Sequence, residues 1–472
     1  MDWNKVQTLH KDIRFWIFLL FTLRLIGITN PPLEVAHNWR QTTVTMAARN
    51  FLEVDNTIFF PRIDIAGELS GITGMEFPLL NYAIYIVSTI CGYDHWYGRL
   101  INLIITSFGL FFFYKTIKKI THKELAFWST LILGTSIWYA YGRKIMPDTF
   151  AVSLAIMSVY YGLCYLHDLT NQFKNIVLFG LLLTLSVLAK LPAIVVFSFL
   201  IPSIFNTSIS LKRKIFLITV ALTCLIPSLW WYFIWVPYLV QEYGFWHFFM
   251  GKSISKGFDE ITNEWPLALQ NFYLFSIGIS GFIPFLIGCL QLYKKKNPTI
   301  ALILISGFAL FSIIILKAGW TFIHHSYYMI PFIPFMALVA SYCIINFPTS
   351  YKWGIFTTIF IECLITAAPQ FNIKKSYAAI ELLETLPSVS KKDLVVINSS
   401  NNPTPMYFAH KKGWITDNNT LSSTIYQKEI ISKGCKYAII LKKSFGSNLS
   451  LPYYLEYETE YFKLYNLQIH TP

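Results

Sequence analysis

The feature that most constrains the fold is a series of long apolar runs separated by short polar segments. Charged residues make up only 13% of the 472 residues, whereas soluble domains carry about 25%. The sequence therefore predicts a polytopic α-helical membrane protein. Runs of roughly 17 to 25 residues can cross a bilayer as helices. We assign such spans at about 14–30, 97–114, 124–141, 149–166, 174–189, 191–206, 214–236, 268–292, 298–316, 327–346 and 353–369.

Clusters of Lys and Arg between the runs indicate the orientation, because cytoplasmic loops collect these residues. The clusters are Lys115/Lys118/Lys119/Lys123, Lys174, Lys212/Arg213/Lys214, Lys294/Lys295/Lys296 and Lys352. They share one face only if the further apolar stretch 79–93 does not cross. We therefore interpret 79–93 as an interfacial helix, which gives about eleven spans, a cytoplasmic N-terminus and an outer C-terminal region. A crossing 79–93 with one more span elsewhere remains the alternative.

The net charge of +13 lies in these loop clusters, so no nucleic-acid partner is predicted. The seven cysteines lie mostly within apolar runs and show no metal-ligand spacing. They predict neither a disulfide framework nor a metal site.

Three outer segments follow from this topology. The first outer loop, 30–96, contains a predicted helix from Trp39 to Phe51, and a second segment covers about 237–267. From about Lys374 the pattern becomes that of a small soluble α/β domain. Its predicted elements are strands at 393–398 and 436–441, a helix at 422–433 and a closing strand pair at 453–467. We thus predict a membrane catalytic domain, 1–372, and a soluble domain, 373–472.

Polar residues that are costly at a membrane surface collect on the same predicted face. They are the loop Arg143-Lys144-Ile145-Met146-Pro147-Asp148, with Arg40, Lys190, Lys317 and the pair His324-His325. A one-sided collection of this kind indicates a functional site facing the outer side.

The order of several short motifs resembles GT-C glycosyltransferases. The resemblance is closest to the branch that contains protein O-mannosyltransferases and the lipid A aminoarabinose transferase, and it covers about residues 14–340. The motifs are Glu76-Phe77-Pro78, Gly92 to Arg99, Met146-Pro147-Asp148 and Ala189-Lys190-Leu191-Pro192. The resemblance implies transfer of a sugar from a polyprenyl monophosphate to an acceptor on the outer face of a bacterial inner membrane. Lipid A, a surface glycan or a protein would be the acceptor, and single displacement implies inversion.

Such a displacement needs a base for the acceptor hydroxyl and cations for the departing lipid phosphate. By resemblance, Asp148 occupies the family's acidic position in the second outer loop, although Pro-Asp-Thr before an apolar run also suits a helix N-cap. Lys190 is predicted to bind the donor phosphate, with a snorkelling anchor as the alternative. Arg143, Lys144 and Lys317 are further donor-phosphate candidates.

The first outer loop departs from the family, whose members place an acidic residue, often an Asp-Glu pair, before an Arg/Tyr-bearing helix. Here Glu34 is the preferred base and His37 the alternative. Arg40 is assigned to the donor phosphate, with an interfacial Trp-Arg belt as the other interpretation. Gln41 and Glu76 are assigned to substrate, with a helix-start residue as the equal alternative for Glu76. Phe77 replaces a Lys of the aminoarabinose transferase.

The remaining substrate candidates are His324, His325, Tyr327 and Tyr328, although tyrosines at this depth are also common in the aromatic belt. Adjacent histidines on a helix point in different directions, so we predict no metal. No cofactor is required by the sequence, and a divalent cation is left open.

A transporter or flippase is the alternative function. It would place charges within the spans and broken helices in repeated halves, whereas the polar residues here collect at one face. A membrane scaffold without chemistry is the third interpretation, and it would leave Asp148, Lys190 and Arg40 replaceable.

Overall fold

A computed structural model describes residues 10–245, 251–295, 297–386 and 389–470. Lys296 of the predicted cation cluster lies outside them. Two compact units account for the chain. Unit 1 comprises the described residues of Met1–Ile28, Gly98–Phe233 and Phe249–Pro369, and unit 2 those of Thr29–Tyr97, Ile234–Phe248 and Gln370–Pro472. The domain boundary expected at 372/373 stays a prediction.

The helices assigned to unit 1 follow its apolar runs. In chain order they are Ile13–Arg24, Tyr97–Ile120, Lys123–Thr135, Ile137–Tyr141, Pro147–His167, Gln172–Ala189, the 3-10 helix Leu191–Leu200, Ile201–Phe205, Leu211–Trp230, the π-helical turn Trp231–Trp235, Ile254–Asn263, Trp265–Tyr273, Ile279–Lys295, Pro298–Ala318, Trp320–His324, the 3-10 turn Ser326–Met329, Ile333–Ile344, Thr349–Ala367 and the 3-10 turn Ala368–Phe371.

Six helical stretches in the described part of the chain are long and apolar enough to cross a membrane. They are Tyr97–Ile120, Pro147–His167, Gln172–Ala189, Leu211–Tyr243, Pro298–Ala318 and Thr349–Phe371. Each coincides with a predicted span. The other five predicted spans are formed by shorter or interrupted helices, and the interfacial candidate at 79–93 is the 13-residue helix Leu79–Cys91, which is shorter than the usual crossing length.

The predicted segment 268–292 is not one continuous helix. It breaks at Gly278, which has a φ of 71° and so takes a left-handed conformation that suits glycine. The carboxylate of Glu362 accepts hydrogen bonds from the backbone N–H groups of Ile279 and Ser280, both at 2.7 Å. These bonds satisfy donors that a helix start leaves open. A charged side chain of another helix thus stabilises the interruption.

Unit 2 contains a five-stranded sheet together with helices from the first loop. The strands are β1 Leu394–Ile397, β2 Lys412–Ile415, β3 Cys435–Leu441, β4 Tyr453–Glu458 and β5 Phe462–His470. Their order is β2-β1-β3-β5-β4, with β1 parallel to β2 and β3, and β5 antiparallel to β3 and β4. The helices are Asn38–Glu53, Leu79–Cys91, Val236–Tyr243, Lys375–Ala378, the 3-10 helix Ala379–Thr385, Thr404–Ala409, Asn418–Ser422 and Thr424–Ser432.

Alternation along the strands places apolar side chains on both faces of the sheet. One face, with Val395, Ile397 and Ile439, shares a core with Met46 and Ala47 of the helix Asn38–Glu53. The opposite face, with Val396 and Ile440, packs on the helix Thr424–Ser432. The first loop and the C-terminal residues therefore share one hydrophobic core, which fixes the helix Asn38–Glu53 on the sheet.

Candidate active site

Asp148 and Lys190 come together in unit 1. Asp148 lies in the first turn of the helix Pro147–His167, and Lys190 ends the helix Gln172–Ala189. The Lys190 Nζ atom lies 3.7 Å from Asp148 Oδ1, and the side chains are 15% and 8% exposed. The second carboxylate oxygen, Asp148 Oδ2, is buried and accepts no hydrogen bond from the described residues. A buried acceptor left open in this way is uncommon and suits a group that meets a substrate.

The N-cap alternative for Asp148 is wrong. The residue at the N-cap position is Met146, which makes no side-chain cap bond, and Asp148 follows within the first helical turn. Its negative charge is favoured there by the helix dipole. The Asp148 carboxylate therefore does not serve as the N-cap of this helix.

The loop before Asp148 is positioned by a buried amide. Asn102 of the helix Tyr97–Ile120 donates from Nδ2 to the carbonyl oxygens of Lys144 at 2.7 Å and Met146 at 3.1 Å. Thr106 in turn donates to Asn102 Oδ1 at 3.3 Å. Since a bond between two buried partners holds the backbone in one place, Asn102 sets where the helix Pro147–His167 begins. Sequence reasoning missed Asn102, because nothing local marks an Asn within a span as a contact of another loop.

The two cations of this loop are both buried. Arg143 donates from Nη2 to the carbonyl oxygen of Gly27 at 3.1 Å. Lys144 is fully buried, and its Nζ atom lies 5.8 Å from the centre of the Tyr141 ring. The Tyr141 hydroxyl is 2.9 Å from Ser326 Oγ, which connects the loop with the segment that carries the paired histidines. The donor-phosphate roles of Arg143 and Lys144 stay predictions.

Lys317 ends the helix Pro298–Ala318 and is exposed. Its carbonyl oxygen accepts a hydrogen bond from the backbone N–H of Lys252 at 3.0 Å. Lys252 also donates from Nζ to both oxygens of Glu260, at 2.8 and 2.6 Å, and Glu260 Oε2 accepts from the Trp320 N–H at 2.7 Å. This ionic latch, Lys252–Glu260–Trp320, fastens the helix Ile254–Asn263 to the segment after Lys317.

The paired histidines differ in their surroundings. His324 Nε2 lies 3.5 Å from Glu264 Oε2, with both side chains more than a third exposed, and its ring centre is 4.2 Å from that of Trp320. The ring of His325 stacks on Tyr327 at 5.4 Å, and Tyr327 stacks on Tyr328 at 4.9 Å. Burial lowers the pKa of His325, as does the neighbouring His324. Within the described residues, no group of three or more His, Cys, Asp or Glu side chains could hold a metal ion.

Unit 2 holds the site candidates of the first loop. Arg40 donates from Nη2 to Glu76 Oε1, and Gln41 donates from Nε2 to Glu34 Oε2. All four side chains are buried, and Glu34 has no exposed surface. Arg40 and Gln41 are adjacent in the helix Asn38–Glu53, so two acid contacts fix its first turn. The belt interpretation of Arg40 does not account for this buried ion pair.

His37 immediately precedes this helix and takes a left-handed backbone conformation, with φ 62°. Its side chain makes no cap bond to the helix, and its carbonyl oxygen accepts from the Gln41 N–H at 3.1 Å. These contacts do not distinguish Glu34 from His37 as the base of the first loop, and both roles stay predictions.

A polar network at the other end of the helix was not predicted. Arg49 donates to Asp64 Oδ2 and to the carbonyl oxygen of Tyr407, both at 3.0 Å, and its guanidinium lies 4.7 Å from the centre of the Tyr407 ring. The Tyr407 hydroxyl is 2.5 Å from that of Tyr93 and 2.9 Å from His95 Nδ1. Burial raises the pKa of Tyr93 and of Tyr407, so both hydroxyls keep their protons. The sequence motif from Gly92 to Arg99, which contains Tyr93 and His95, could have indicated this network.

Unit 1 also contains an apolar cavity of about 620 Å³. It is lined mainly by aromatic and aliphatic side chains of three helices and by Phe332, and the aromatic ones are Phe272, Phe282, Phe285, Phe308 and Phe332. A cavity without charged lining favours an apolar guest.

Comparisons with known proteins agree on one fold. Residues 76–231 match the family model described as dolichyl-phosphate-mannose-protein mannosyltransferase. ArnT from Cupriavidus metallidurans in the apo state is 11% identical, with a TM-score of 0.64 over 97% of this chain and 99% of that chain. The same protein bound to undecaprenyl phosphate gives a TM-score of 0.63 at 10% identity, over 96% and 98% of the two chains.

The oligosaccharyltransferase of Archaeoglobus fulgidus, in a complex with zinc and sulfate, is 13% identical, with a TM-score of 0.59 over 90% of this chain and 68% of that chain. Among curated protein sequences, none matches the chain. The GT-C resemblance seen in the sequence motifs is therefore confirmed by an independent family match and by the fold. This membrane protein therefore has the fold of the GT-C membrane glycosyltransferases, and its residues 76–231 match a mannosyltransferase family model.

Proposed function

We propose that the chain transfers a sugar from a polyprenyl-phosphate lipid to a hydroxyl-bearing acceptor, lipid A, a surface glycan or a protein, on the outer face of a bacterial inner membrane. The observation that carries the proposal is the contact between Asp148 and Lys190 in a GT-C fold. It brings a carboxylate with one uncommitted oxygen beside a cation, and a displacement of a lipid phosphate requires both groups.

Of the three catalytic candidates from the sequence, Asp148, Glu34 and His37, we propose Asp148 as the base, because it lies beside Lys190. Its Oδ2 atom accepts the proton of the acceptor hydroxyl as the oxygen attacks the anomeric carbon. The bond from that carbon to the phosphate oxygen then breaks on the opposite side, so the configuration inverts. Lys190 donates to the phosphate as negative charge builds on it, and this interaction is stronger in the transition state than in the bound donor.

Support for the lipid donor comes from two sources. A structural relative, ArnT, has been solved with undecaprenyl phosphate, and AglB from Archaeoglobus fulgidus with a dolichol phosphate and an inhibitory peptide. In this chain the apolar cavity of about 620 Å³ suits an isoprenoid tail, because its lining offers no polar partner to a headgroup. The comparisons give no support to a transporter or flippase.

The orientation belongs to the same proposal. Lys118 and Lys119 lie in the last turn of the helix Tyr97–Ile120, and Lys123 begins the next helix. A positive loop of this kind favours the cytoplasm. We place the opposite ends of these helices, and with them Asp148, on the outer side.

The proposal is tested by mass spectrometry of lipids that co-purify with the wild-type protein and with Lys190→Ala, both extracted in mild detergent from native membranes. We expect a polyprenyl monophosphate sugar on the wild type and much less on the variant. Lys119→Ala is the matched control, since Lys119 pairs at 2.6 Å with Asp168, which lies at the other end of the helix that carries Asp148. If neither sample carries such a lipid after donor-rich extract is added back, the transferase assignment fails.

A further inference from the structure

A polar pocket in unit 2 carries an excess of positive charge. It has a volume of about 210 Å³ and lies at the C-terminal end of the helix Asn38–Glu53. Five cations line it, namely Arg49, Arg62, Lys391, Lys411 and Lys412, against the two carboxylates Glu53 and Asp64. We call it the lysine pocket.

The two arginines of the lysine pocket are already paired. Arg49 donates to Asp64 at 3.0 Å, and Arg62 donates to Asp55 at 2.8 Å. Of the two lining carboxylates, Asp64 thus pairs with Arg49, and Glu53 lies 2.8 Å from His410 Nε2. Neither forms an ion pair with a lysine of the pocket.

The three lysines lack such partners. Lys411 is buried and donates from Nζ to the carbonyl oxygen of Val389 at 3.1 Å. Neither Lys391 nor Lys412 makes a side-chain hydrogen bond or an ion pair with any residue that the structure describes. Burial lowers the pKa of both Lys411 and Lys412, because the loss of water around the ammonium groups outweighs the attraction of nearby carboxylates. These carboxylates are Asp393 and Glu384 for Lys411, and Asp64 and Glu68 for Lys412.

Partly desolvated ammonium groups that form no ion pair with a carboxylate are stabilised when an anion binds beside them. Lysine is a compact point charge that suits a phosphate or carboxylate oxygen. The lysine pocket thus has the charge and the chemistry of an oxyanion site.

We infer that the lysine pocket binds an oxyanion substituent, a phosphate or carboxylate group, on the acceptor of the sugar. This inference rests on the proposed function. Arg40 and Arg49 lie in the same helix nine residues apart, which corresponds to about 13 Å at 1.5 Å per residue. The helix therefore connects the first-loop candidates at its N-terminal end with a separate acceptor contact at its C-terminal end.

The test measures binding of inorganic phosphate to the full-length protein in nanodiscs of neutral lipid, by titration followed with ³¹P NMR. The background variant is Lys190→Gln, which removes the proposed donor contact and leaves the lysine pocket intact. We expect Lys412→Gln in this background to weaken the remaining phosphate binding about tenfold or more. Lys433→Gln is the matched control, because Lys433 is an exposed lysine of unit 2 already paired with Glu429 at 2.7 Å.

Equal phosphate binding with and without Lys412→Gln would overturn the inference. Lys391→Gln is the second variant, since this exposed side chain can be changed without disturbing the fold, and it should weaken binding in the same direction. A wild type that binds phosphate no better than Lys190→Gln would count against the donor site alone, so the two proposals fail separately.

The remaining arm distinguishes an acceptor group from a lipid headgroup. Phosphatidylglycerol is added to the nanodiscs, and phosphate binding is measured again. No change supports an acceptor subsite. Competition in the wild type that disappears in Lys412→Gln would assign the lysine pocket to bilayer lipid and refute the acceptor role.

Discussion

Asp148 and Lys190 lie 3.7 Å apart although each belongs to a different membrane helix. The helix Pro147–His167 has a second ion pair at its other end, where Asp168 meets Lys119. The two pairs differ in exposure, since the Asp168 side chain is 39% exposed and that of Asp148 only 8%. The helix Pro147–His167 therefore has the candidate functional carboxylate, Asp148, at one end. At its other end Asp168 serves as a control residue.

Replacing Asp148 by Asn should abolish sugar transfer while donor binding is kept. The amide retains the shape of the side chain but cannot take a proton, and loss of a general base costs typically 10²- to 10⁴-fold in rate. The measurement is single-turnover transfer alongside donor binding. Asp168→Asn should behave like the wild type, and normal turnover of Asp148→Asn would refute its role as base.

Removing one partner of the buried pair Arg40–Glu76 should destabilise unit 2. Glu76→Ala leaves a buried guanidinium without this partner, for which the usual cost is about 3 to 5 kcal/mol. We expect a clearly lower midpoint of thermal unfolding. The double variant Arg40→Met/Glu76→Leu should recover much of the loss without recovering activity, and an unchanged midpoint in Glu76→Ala would show that the pair does not stabilise the fold.

The ionic latch Lys252–Glu260–Trp320 should open in acid. The hydrogen bonds from Lys252 and from the Trp320 N–H lower the pKa of Glu260 below its usual 4.5. A carboxyl with a lowered folded-state pKa contributes stability above its unfolded pKa and loses it as the pH falls through the folded pKa. The latch is therefore complete at neutral pH and is lost below about pH 4.5.

A nitroxide on Ser255→Cys in a Cys91→Ser background reports this opening by EPR. Its mobility should rise as the pH is lowered from 7 to 3. Glu260→Gln should be mobile at every pH, whereas Asp259→Asn, its neighbour on the same helix, should follow the wild type. A pH-independent spectrum of the wild type would contradict the prediction.

A cysteine at exposed Lys118 should react only with a reagent added from the cytoplasm. This follows if the 13-residue helix Leu79–Cys91 lies in the interface and does not cross. The experiment uses Lys118→Cys with Cys91→Ser, because Cys91 is exposed. Labelling from outside would make 79–93 a span and reverse the proposed orientation.

The sequence patterns located the elements whose signal is local. The strand predicted at 393–398 is observed at Leu394–Ile397, and the helix predicted at 39–51 at Asn38–Glu53. Apolar runs identified the six helical stretches of the described residues that are long and apolar enough to cross a membrane. In each case the periodicity or an uninterrupted apolar run of the local sequence is enough to locate the helix or strand.

Contacts between distant segments were not predictable. Strand β2, Lys412–Ile415, has only four residues and becomes a strand by pairing with β1. The roles of Asn102 and Glu362 depend on backbone groups of other segments, and no spacing rule connects them. The sequence can identify Asp148 and Lys190 as separate candidates, but only the three-dimensional structure shows that they lie close together.

The helix Asn38–Glu53 also fixes the distance between Arg40 and Arg49. All but three of its 16 residues are buried, and Met46 and Ala47 pack in the core beneath the sheet, so burial holds the helix in one position on the sheet. One inserted residue would rotate Arg49 by about 100° relative to Arg40, and four would restore the facing while adding about 6 Å. The number of helical turns between Arg40 and Arg49 thus sets the length of an acceptor that can contact both ends of the helix.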